Sequence, residues 1–163
     1  MYRSVPLGAE HDLTDFSSGN HELDEWLQEH AVHASRMNVA RTFIWAEESK
    51  KVVAYYALAA HQVTSDVLPH QIARGSPRQI PAVLVGKLAL DAKLQGQGLG
   101  ALLLADASQR VVEATETVAA RAVVVDAIDN RTATFYEHFG FVPTAPGSSR
   151  LVQRRSDLAA AFD

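Results

Sequence analysis

The arrangement of hydrophobic and polar positions predicts alternating strands and helices along the chain. The apolar run Val83–Leu90 is typical of a buried strand, and Ala122–Asp126 is a shorter β-branched run of the same kind. Apolar residues recur at helical spacing from His21 to Asn38, and a second helix is predicted from Leu99 to about Thr117. These elements indicate one α/β domain over residues 1–163.

The remaining segments are predicted from alternation and turn residues. Arg41–Ala46 and Val52–Val63 are expected to pair as antiparallel strands around a charged turn. Between Ser65 and Pro81, three prolines and a glycine predict an irregular connecting loop. The other expected elements are a first strand at Arg3–Leu7, a helix at Arg131–Phe139, a final hairpin at Phe141–Val142 and Leu151–Val152, and a frayed tail at Asp157–Asp163.

A glycine-rich segment joins the central strand to the second long helix. Gly96, Gly98 and Gly100 occupy alternate positions just before the apolar start of that helix. Glycine permits positive φ, so that successive N–H groups can face one hollow, and a helix N-terminus adds unpaired donors with partial positive charge. The segment therefore predicts a site for a phosphate or a pyrophosphate.

Two common phosphate-binding motifs fit this segment poorly. A P-loop requires Gly-Lys-Ser or Gly-Lys-Thr at its end, and Gly100-Ala101-Leu102 has neither the lysine nor the hydroxyl. A dinucleotide-binding fold could use G-x-G-x-x-A from Gly96 to Ala101, but only about sixty residues follow, and the acid Asp126 lies further on than the usual ~20 residues. A third alternative takes Gln95–Gly100 as Q-x-x-G-x-G.

Composition narrows the remaining possibilities. The chain has no cysteine, so disulfides, thiol nucleophiles and zinc–thiolate sites are excluded. It has no apolar run long enough to span a membrane and no visible signal peptide, and we expect a cytoplasmic protein without membrane attachment. His30 and His33 are three residues apart on the first helix, but without a third ligand nearby they predict a polar flank, and no metal is expected.

The net charge of −4 is unevenly distributed. Residues 4–35 contain only acids among the charged side chains, whereas residues 71–93 are mostly basic, and three arginines cluster near the C-terminus. A locally basic face is compatible with RNA or a phosphorylated substrate. Scattered, solvated charge that also meets a cofactor's phosphates is the alternative.

Two motifs together resemble the GCN5-related N-acetyltransferases (GNAT). The first is Gln95–Gly100, and the second is Asn130–Phe141, which fits N-x-x-A-x-x-F-Y-x-x-x-G-F. The resemblance implies acetyl-CoA as cofactor and a GNAT fold of class α/β (α+β). That fold has a mixed, mostly antiparallel central sheet, splayed between strands 4 and 5 and flanked by helices.

The resemblance also implies a role for each part of the site. The glycine loop would hold the pyrophosphate, main-chain N–H groups of strand 4 would face the pantetheine and the acetyl carbonyl, and Asn130 would bind the coenzyme arm. Tyr136 would be the general acid for the leaving thiolate. The cofactor-binding residues so implied are Leu88, Ala89, Leu90, Gln95, Gly96, Gln97, Gly98, Leu99, Gly100, Ala101 and Asn130.

No carboxylate stands at the start of the predicted strand 4, where Gly86-Lys87 precedes Leu88. The base for the incoming amine is therefore either a water chain or unnecessary. An α-amino group has a pKa near 7.7–8.0 and needs little help at neutral pH, unlike lysine. This favours an α-amine as the acceptor.

Most of residues 16–141 resembles the acetyltransferase toxins of type II toxin–antitoxin pairs, through Phe16–Leu27, Ala40–Phe43 and Lys87–Asp91 as well as the two motifs. That family acetylates aminoacyl-tRNA, so the resemblance implies a homodimer, a ribbon-helix-helix antitoxin and a basic tRNA surface. The basic residues expected there are Arg36, Arg41, Arg74, Arg78 and Lys93. The alternatives are an acetyltransferase for a small amine or protein N-terminus, and a non-catalytic CoA-binding module.

Overall fold

A computed structural model of the chain describes residues 2–161. It contains seven strands and six α-helices, with a π-helical turn at Trp26–His30 and 3-10 turns at Ser65–Val67 and Ala92–Leu94. The strands are β1 (Val5–Pro6), β2 (Arg41–Ala46), β3 (Val52–Thr64), β4 (Gln79–Leu90), β5 (Ala122–Asp126), β6 (Val142–Pro143) and β7 (Arg150–Arg154). The helices are α1 (His21–Glu25), α2 (Ala31–Arg36), α3 (His70–Ala73), α4 (Leu99–Ala114), α5 (Asn130–His138) and α6 (Arg155–Ala160).

The strands form one sheet in the order β1-β2-β3-β4-β5-β7-β6. The pairs β1–β2, β2–β3, β5–β7 and β6–β7 are antiparallel, and β4–β5 is parallel. The parallel register runs from Ala82 opposite Ala122 to Val85 opposite Val125, while β4 continues to Leu90. The predicted fold class, a mixed and mostly antiparallel sheet flanked by helices, is confirmed.

The chain forms two compact units, and the first comprises the residues up to Ala59 together with Lys87–Ala107. Its core joins one face of the first helical segment to β2, β3 and the end of β4. Asn20 begins α1 by accepting a 3.0 Å hydrogen bond from the Leu23 amide, as expected of an N-cap. The core residues are Phe16, Leu23, Leu27, Ala31, Ile44, Val52, Tyr55 and Ala89.

The second unit comprises Ala60–Gly86 and the residues from Ser108 onward. Its centre is β5, in which Ala122 to Val125 are all buried because strands pair with it on both sides. Loop and helix residues that precede β4 pack against it. The core residues are Val63, Leu68, Ile72, Ile80, Ala82, Ala122, Val124 and Val152.

Several element predictions differ from the structure in detail. The helix predicted over His21–Asn38 is interrupted by the π-helical turn and ends at Arg36. The segment predicted as an irregular loop contains α3 and the start of β4. Pro81 lies within β4, and its carbonyl accepts a 2.8 Å hydrogen bond from the Arg121 amide.

The predicted frayed tail also contains an element, since α6 spans Arg155–Ala160 and buries Leu158. Phe162 and Asp163, the end of that predicted tail, lie outside the described residues. Within residues 2–161, no helix is both long and apolar enough to cross a bilayer.

Candidate active site

The start of the glycine loop is held by buried hydrogen bonds in the first unit. Asp91 directly follows β4 and is 6% exposed. Its carboxylate accepts from the amide of Lys93 at 3.1 Å and from the amide of Ser17 at 3.3 Å. Because a buried carboxylate needs such donors, Asp91 fixes the turn that leads out of the strand.

The Gln95 side chain then fastens the loop to the end of β4. Its amide nitrogen donates to the carbonyl oxygens of Leu90 and Ser18, both at 2.8 Å. A glutamine amide offers two donors, and both are used here. The first residue of the Q-x-x-G-x-G motif therefore has a structural task, which is to set the position of the backbone that follows.

The main chain after Gln95 presents free donors. Gly96 and Gly98 have φ of 80° and 79°, a left-handed conformation that side chains rarely adopt. Among the described residues, no hydrogen bond is made by the amides of Gly96, Gln97 and Gly98, and α4 begins at the next residue, Leu99. Such successive amides beside a helix N-terminus suit a diphosphate, so these residues fit acetyl-CoA.

Gly100 differs from the other two glycines because it lies inside α4 and not in a left-handed turn. The end of β4 contributes in another way. Ala89 and Leu90 are 5% and 8% exposed, so their side chains serve packing. At Ala89 and Leu90 the main chain is left to contact a ligand, which is how the resemblance would use it, and Leu88 is half-buried.

Tyr136 lies on α5 in the second unit and is 2% exposed. Its ring packs edge-to-face against Phe135 and Phe141, with centroids 5.5 and 5.7 Å away. Within residues 2–161 its hydroxyl has no hydrogen-bond partner. Burial, and then the charge of Asp126, raise the pKa of Tyr136 above its ordinary value, so the phenol keeps its proton at neutral pH.

The residue before the second motif starts α5. Asp129 accepts hydrogen bonds from the amide and the hydroxyl of Thr132, at 2.7 and 2.8 Å. These bonds make it the N-cap and lower its pKa. Asn130 is the first residue of α5 and is exposed, which leaves its side-chain amide available to a ligand.

Sequence analysis missed a polar cluster in the second unit, the unit that also contains Tyr136. Arg150 on β7 donates two hydrogen bonds to Asp126 at the end of β5, at 2.9 and 3.0 Å. A third guanidinium nitrogen lies 3.1 Å from Nε2 of His61. Arginine can only donate, so Nε2 is the acceptor and the neutral imidazole of His61 carries its proton on Nδ1.

The same surroundings set the protonation of His61. Burial, and then the charge of Arg150, lower the pKa of His61, while Asp126 opposes them. Asp126 lies opposite Arg150 in the register of β5 and β7, so this pair could have been found from a correct hairpin prediction. Nothing in the local sequence indicates that His61 joins it.

The five basic residues expected to bind tRNA have different surroundings. Arg74 and Arg78 are exposed on the segment before β4, and Arg36 is exposed at the end of α2. The Arg41 guanidinium donates hydrogen bonds to Ser35 and to Asn38, which lie close to it in the sequence. The Lys93 Nζ atom lies 3.3 Å from the Oε1 atom of Glu47. Arg41 and Lys93 therefore have acidic or polar partners within the protein.

Among the described residues, one group of three side chains has its potential metal-binding atoms within 4.8 Å of one another. These are Glu25, Glu29 and His30, all exposed on the first helical segment. His33, the histidine considered with His30 in the sequence, does not belong to the group. Exposed acids commonly cluster in this way without a metal.

A family model described as the acetyltransferase (GNAT) domain matches residues 40–143. The chain belongs to the GNAT acetyltransferase family. The matched region contains both motifs from which the family was predicted, and the prediction is confirmed.

The relatives of this acetyltransferase include toxins. It is 38% identical over 137 residues to a tRNA-acetylating toxin of Mycobacterium tuberculosis (strain ATCC 25618 / H37Rv), a match covering 83% of this chain and 82% of the relative. Its fold matches AtaT complexed with acetyl-methionyl-tRNAfMet, with a TM-score of 0.90, 29% identity and 100% of both chains covered.

A second solved structure is also similar to this acetyltransferase. It is a tyrosine-to-phenylalanine mutant of the toxin AtaT, bound to the C-terminus of the antitoxin AtaR and to acetyl-CoA. The TM-score is 0.84 at 28% identity, with 99% of this chain and 98% of that chain covered.

Proposed function

We propose that this acetyltransferase transfers the acetyl group of acetyl-CoA to the α-amine of an aminoacyl-tRNA, as the toxin of a toxin–antitoxin pair. One observation carries the proposal: the fold matches, over its full length and at a TM-score of 0.90, a toxin complexed with acetyl-methionyl-tRNA. The 38% identity to a tRNA-acetylating toxin supports the same substrate class.

The glycine loop is proposed to bind acetyl-CoA. Asp91 and Gln95 hold the loop, and the free amides of Gly96, Gln97 and Gly98 would donate to the diphosphate. The main chain at Leu88–Leu90 would hold the pantetheine and acetyl carbonyl, and Asn130 the coenzyme arm. Preorganised amide donors of this kind are each worth a few kcal/mol, on the order of 3, when they stabilise developing charge.

Acetyl-CoA supplies an acetyl group activated as a thioester. As the carbon–nitrogen bond forms and the carbon–sulfur bond breaks, the departing sulfur needs a proton, and the Tyr136 hydroxyl is proposed to donate it. The attacking nitrogen loses one proton to solvent water in the same reaction, and solvent returns a proton to the phenol. A protonated phenol on a buried residue, whose hydroxyl has no partner in the described part of the chain, suits this role. Because the acceptor is an α-amine, it is partly neutral at physiological pH without a strong base.

The regulation and assembly of the enzyme are proposed from the same relatives. The AtaT structure includes the C-terminus of an antitoxin, so we propose that an antitoxin also controls this enzyme. The antitoxin is proposed to be a ribbon-helix-helix protein, and the enzyme a homodimer that acts in the cytoplasm. Light scattering of the purified protein tests the homodimer, and sequencing of the neighbouring gene tests the ribbon-helix-helix antitoxin.

The substrate is tested by following radiolabelled acetyl from acetyl-CoA in parallel reactions. One contains charged tRNA, one the same tRNA after deacylation, and one small primary amines with a peptide that has a free N-terminus. We expect label in the nucleic acid of the first reaction alone. Label in the small amines or peptide, with none in charged tRNA, would make this the small-amine or N-terminal acetyltransferase considered above.

A further inference from the structure

The second unit contains a cleft lined by three arginines. Its volume is about 360 Å³, and the lining residues, here called the arginine cleft, are Pro81, Ala119, Ala120, Arg121, Arg154, Arg155 and Ser156. They come from the start of β4, the segment before β5, and the junction of β7 with α6. Backbone hydrogen bonds join the three segments, from Arg121 to Pro81 and from Arg155 to Arg121, both at 2.8 Å.

Two of the three guanidinium groups are fixed by neutral partners. Arg155 donates to the hydroxyl of Thr115 and to the carbonyl of Val112, both at 2.9 Å. Arg121 donates through Nε to the hydroxyl of Ser76 and through Nη2 to the carbonyl of Arg74. Within residues 2–161, neither group forms an ion pair, whereas Arg154 pairs with Asp157.

The geometry of these bonds leaves a defined edge free. Each guanidinium uses Nε and Nη2, and Nη1 has no partner among the described residues. A side chain already held in place loses little entropy when it binds a ligand. Arg154 contributes less because Asp157 accepts two hydrogen bonds from it, at 2.9 and 3.3 Å.

Among anions, RNA phosphate suits this surface best. Every Lys or Arg of the second unit is an arginine, the side chain whose planar fork matches phosphate. The exposed Arg74 and Arg78 lie on the segment that Arg121 binds, and so extend the positive surface. Asp66 lies near Arg78. The pKa of Asp66 is lowered chiefly by a hydrogen bond with Thr64, and the positive charge of Arg78 contributes a smaller part.

The cleft and Asp126 lie at opposite ends of β5. Asp126, whose charge acts on Tyr136, ends β5, and Arg121 immediately precedes that strand. The strand rise separates the two ends of β5 by about 13 Å.

We propose that the arginine cleft binds backbone phosphate of the substrate RNA. The inference rests on the proposed function, because it takes the charged end of the tRNA to lie at Tyr136. It adds a binding site for phosphodiester at the opposite end of β5.

The test is a binding titration of fluorescent tRNA against wild type, Arg121→Gln and Arg121→Lys, repeated at several salt concentrations. We expect Arg121→Gln to weaken binding about tenfold, and to lower the slope of log Kd against log salt by about 1. Arg121→Lys keeps the charge but not the fork, so it should keep the slope and lose part of the affinity. Arg3→Gln, the same charge change on an exposed residue of the first unit, is the matched control.

Thermal unfolding of each variant separates loss of fold from loss of binding. Unchanged tRNA affinity and salt slope in a folded Arg121→Gln overturn the inference, while acetylation of charged tRNA by wild type still upholds the proposed function. If Arg121→Gln loses binding of polyglutamate but keeps binding of tRNA, the cleft is a site for an acidic protein. If inorganic phosphate saturates the cleft at micromolar concentration, the cleft is a small-anion site. Either result overturns the inference.

Discussion

At the scale of single residues, the account depends on the Tyr136 hydroxyl, which has no hydrogen-bond partner among residues 2–161. Buried hydroxyls normally find a partner, and Tyr55 shows the ordinary case by donating to the carbonyl of Leu23 at 2.7 Å. Burial raises the pKa of both tyrosines. Tyr136 therefore differs from Tyr55 in having a hydroxyl without a partner among the described residues, which makes the pair a matched test.

We expect Tyr136→Phe to lower kcat for acetyl transfer by about 10²-fold to 10⁴-fold, the usual contribution of a general acid. Stability should change little because no hydrogen bond is lost. Tyr55→Phe should have the opposite profile, losing about 1 kcal/mol of stability with kcat preserved. Steady-state kinetics and denaturant unfolding check both, and equal kcat values for Tyr136→Phe and wild type would remove the hydroxyl from the mechanism.

His61 gives a pH-dependent prediction. The pKa of His61 is lowered in the folded protein, so below about pH 6.5, the ordinary value, the unfolded chain binds the proton more readily. The stability that comes from the neutral imidazole is thus present above this pH, and is lost as the pH falls toward the folded pKa.

The free energy of unfolding of wild type should therefore fall more steeply than that of His61→Gln between about pH 7 and pH 5. Chemical denaturation at several pH values measures both slopes. His21→Gln, at a side chain that is 87% exposed, is the control and should follow wild type. A His61→Gln slope equal to that of wild type would contradict the assigned protonation.

At the scale of elements, the glycine loop combines a fixed start with a free middle. Asp91 and Gln95 fasten its beginning, and Gly96 and Gly98 then turn the amides outward in left-handed conformations. A Cβ at Gly98 would meet nothing within 4 Å, so the backbone angle and not crowding demands glycine. Gly147, at φ 77° and equally open, provides the same backbone geometry away from the loop.

Alanine at either position forces a left-handed residue with a side chain, which costs about 1–2 kcal/mol. We expect Gly98→Ala and Gly147→Ala to lower stability alike. Only Gly98→Ala should raise KM for acetyl-CoA, by about tenfold, because the amides that hold the diphosphate shift with the backbone. If both variants keep the wild-type KM, the loop does not hold the cofactor in the way proposed.

Sequence predicted the elements whose signals are local. The buried strands Val83–Leu90 and Ala122–Asp126, the glycine loop and the start of α4 all follow from apolar runs, turn residues and caps. The π-helical turn and α3 were missed because tertiary packing, and not propensity, sets such short segments. The same limit applies to the site, where His61 meets Arg150 only through the sheet, 89 positions along the chain.

At the scale of the whole molecule, an acidic protein is proposed to bind RNA. The net charge of −4 opposes unspecific binding, so affinity must come from local arginines. We therefore expect KM for charged tRNA to rise steeply with salt, while KM for a small aminoacyl ester stays nearly constant. Kinetics at 50 and 200 mM salt measure this difference, and parallel curves for the two substrates would contradict an electrostatic RNA contact.

The most direct test of the account is to identify the acetylated atom. Purified enzyme is incubated with acetyl-CoA and charged tRNA, the RNA is digested with nuclease, and the terminal aminoacyl-adenosine is analysed by mass spectrometry. The account predicts a mass increase of one acetyl group on the α-amine, formed by wild type and nearly absent with Tyr136→Phe. An unmodified aminoacyl-adenosine in the wild-type reaction, or acetyl on the ribose or base, would contradict it.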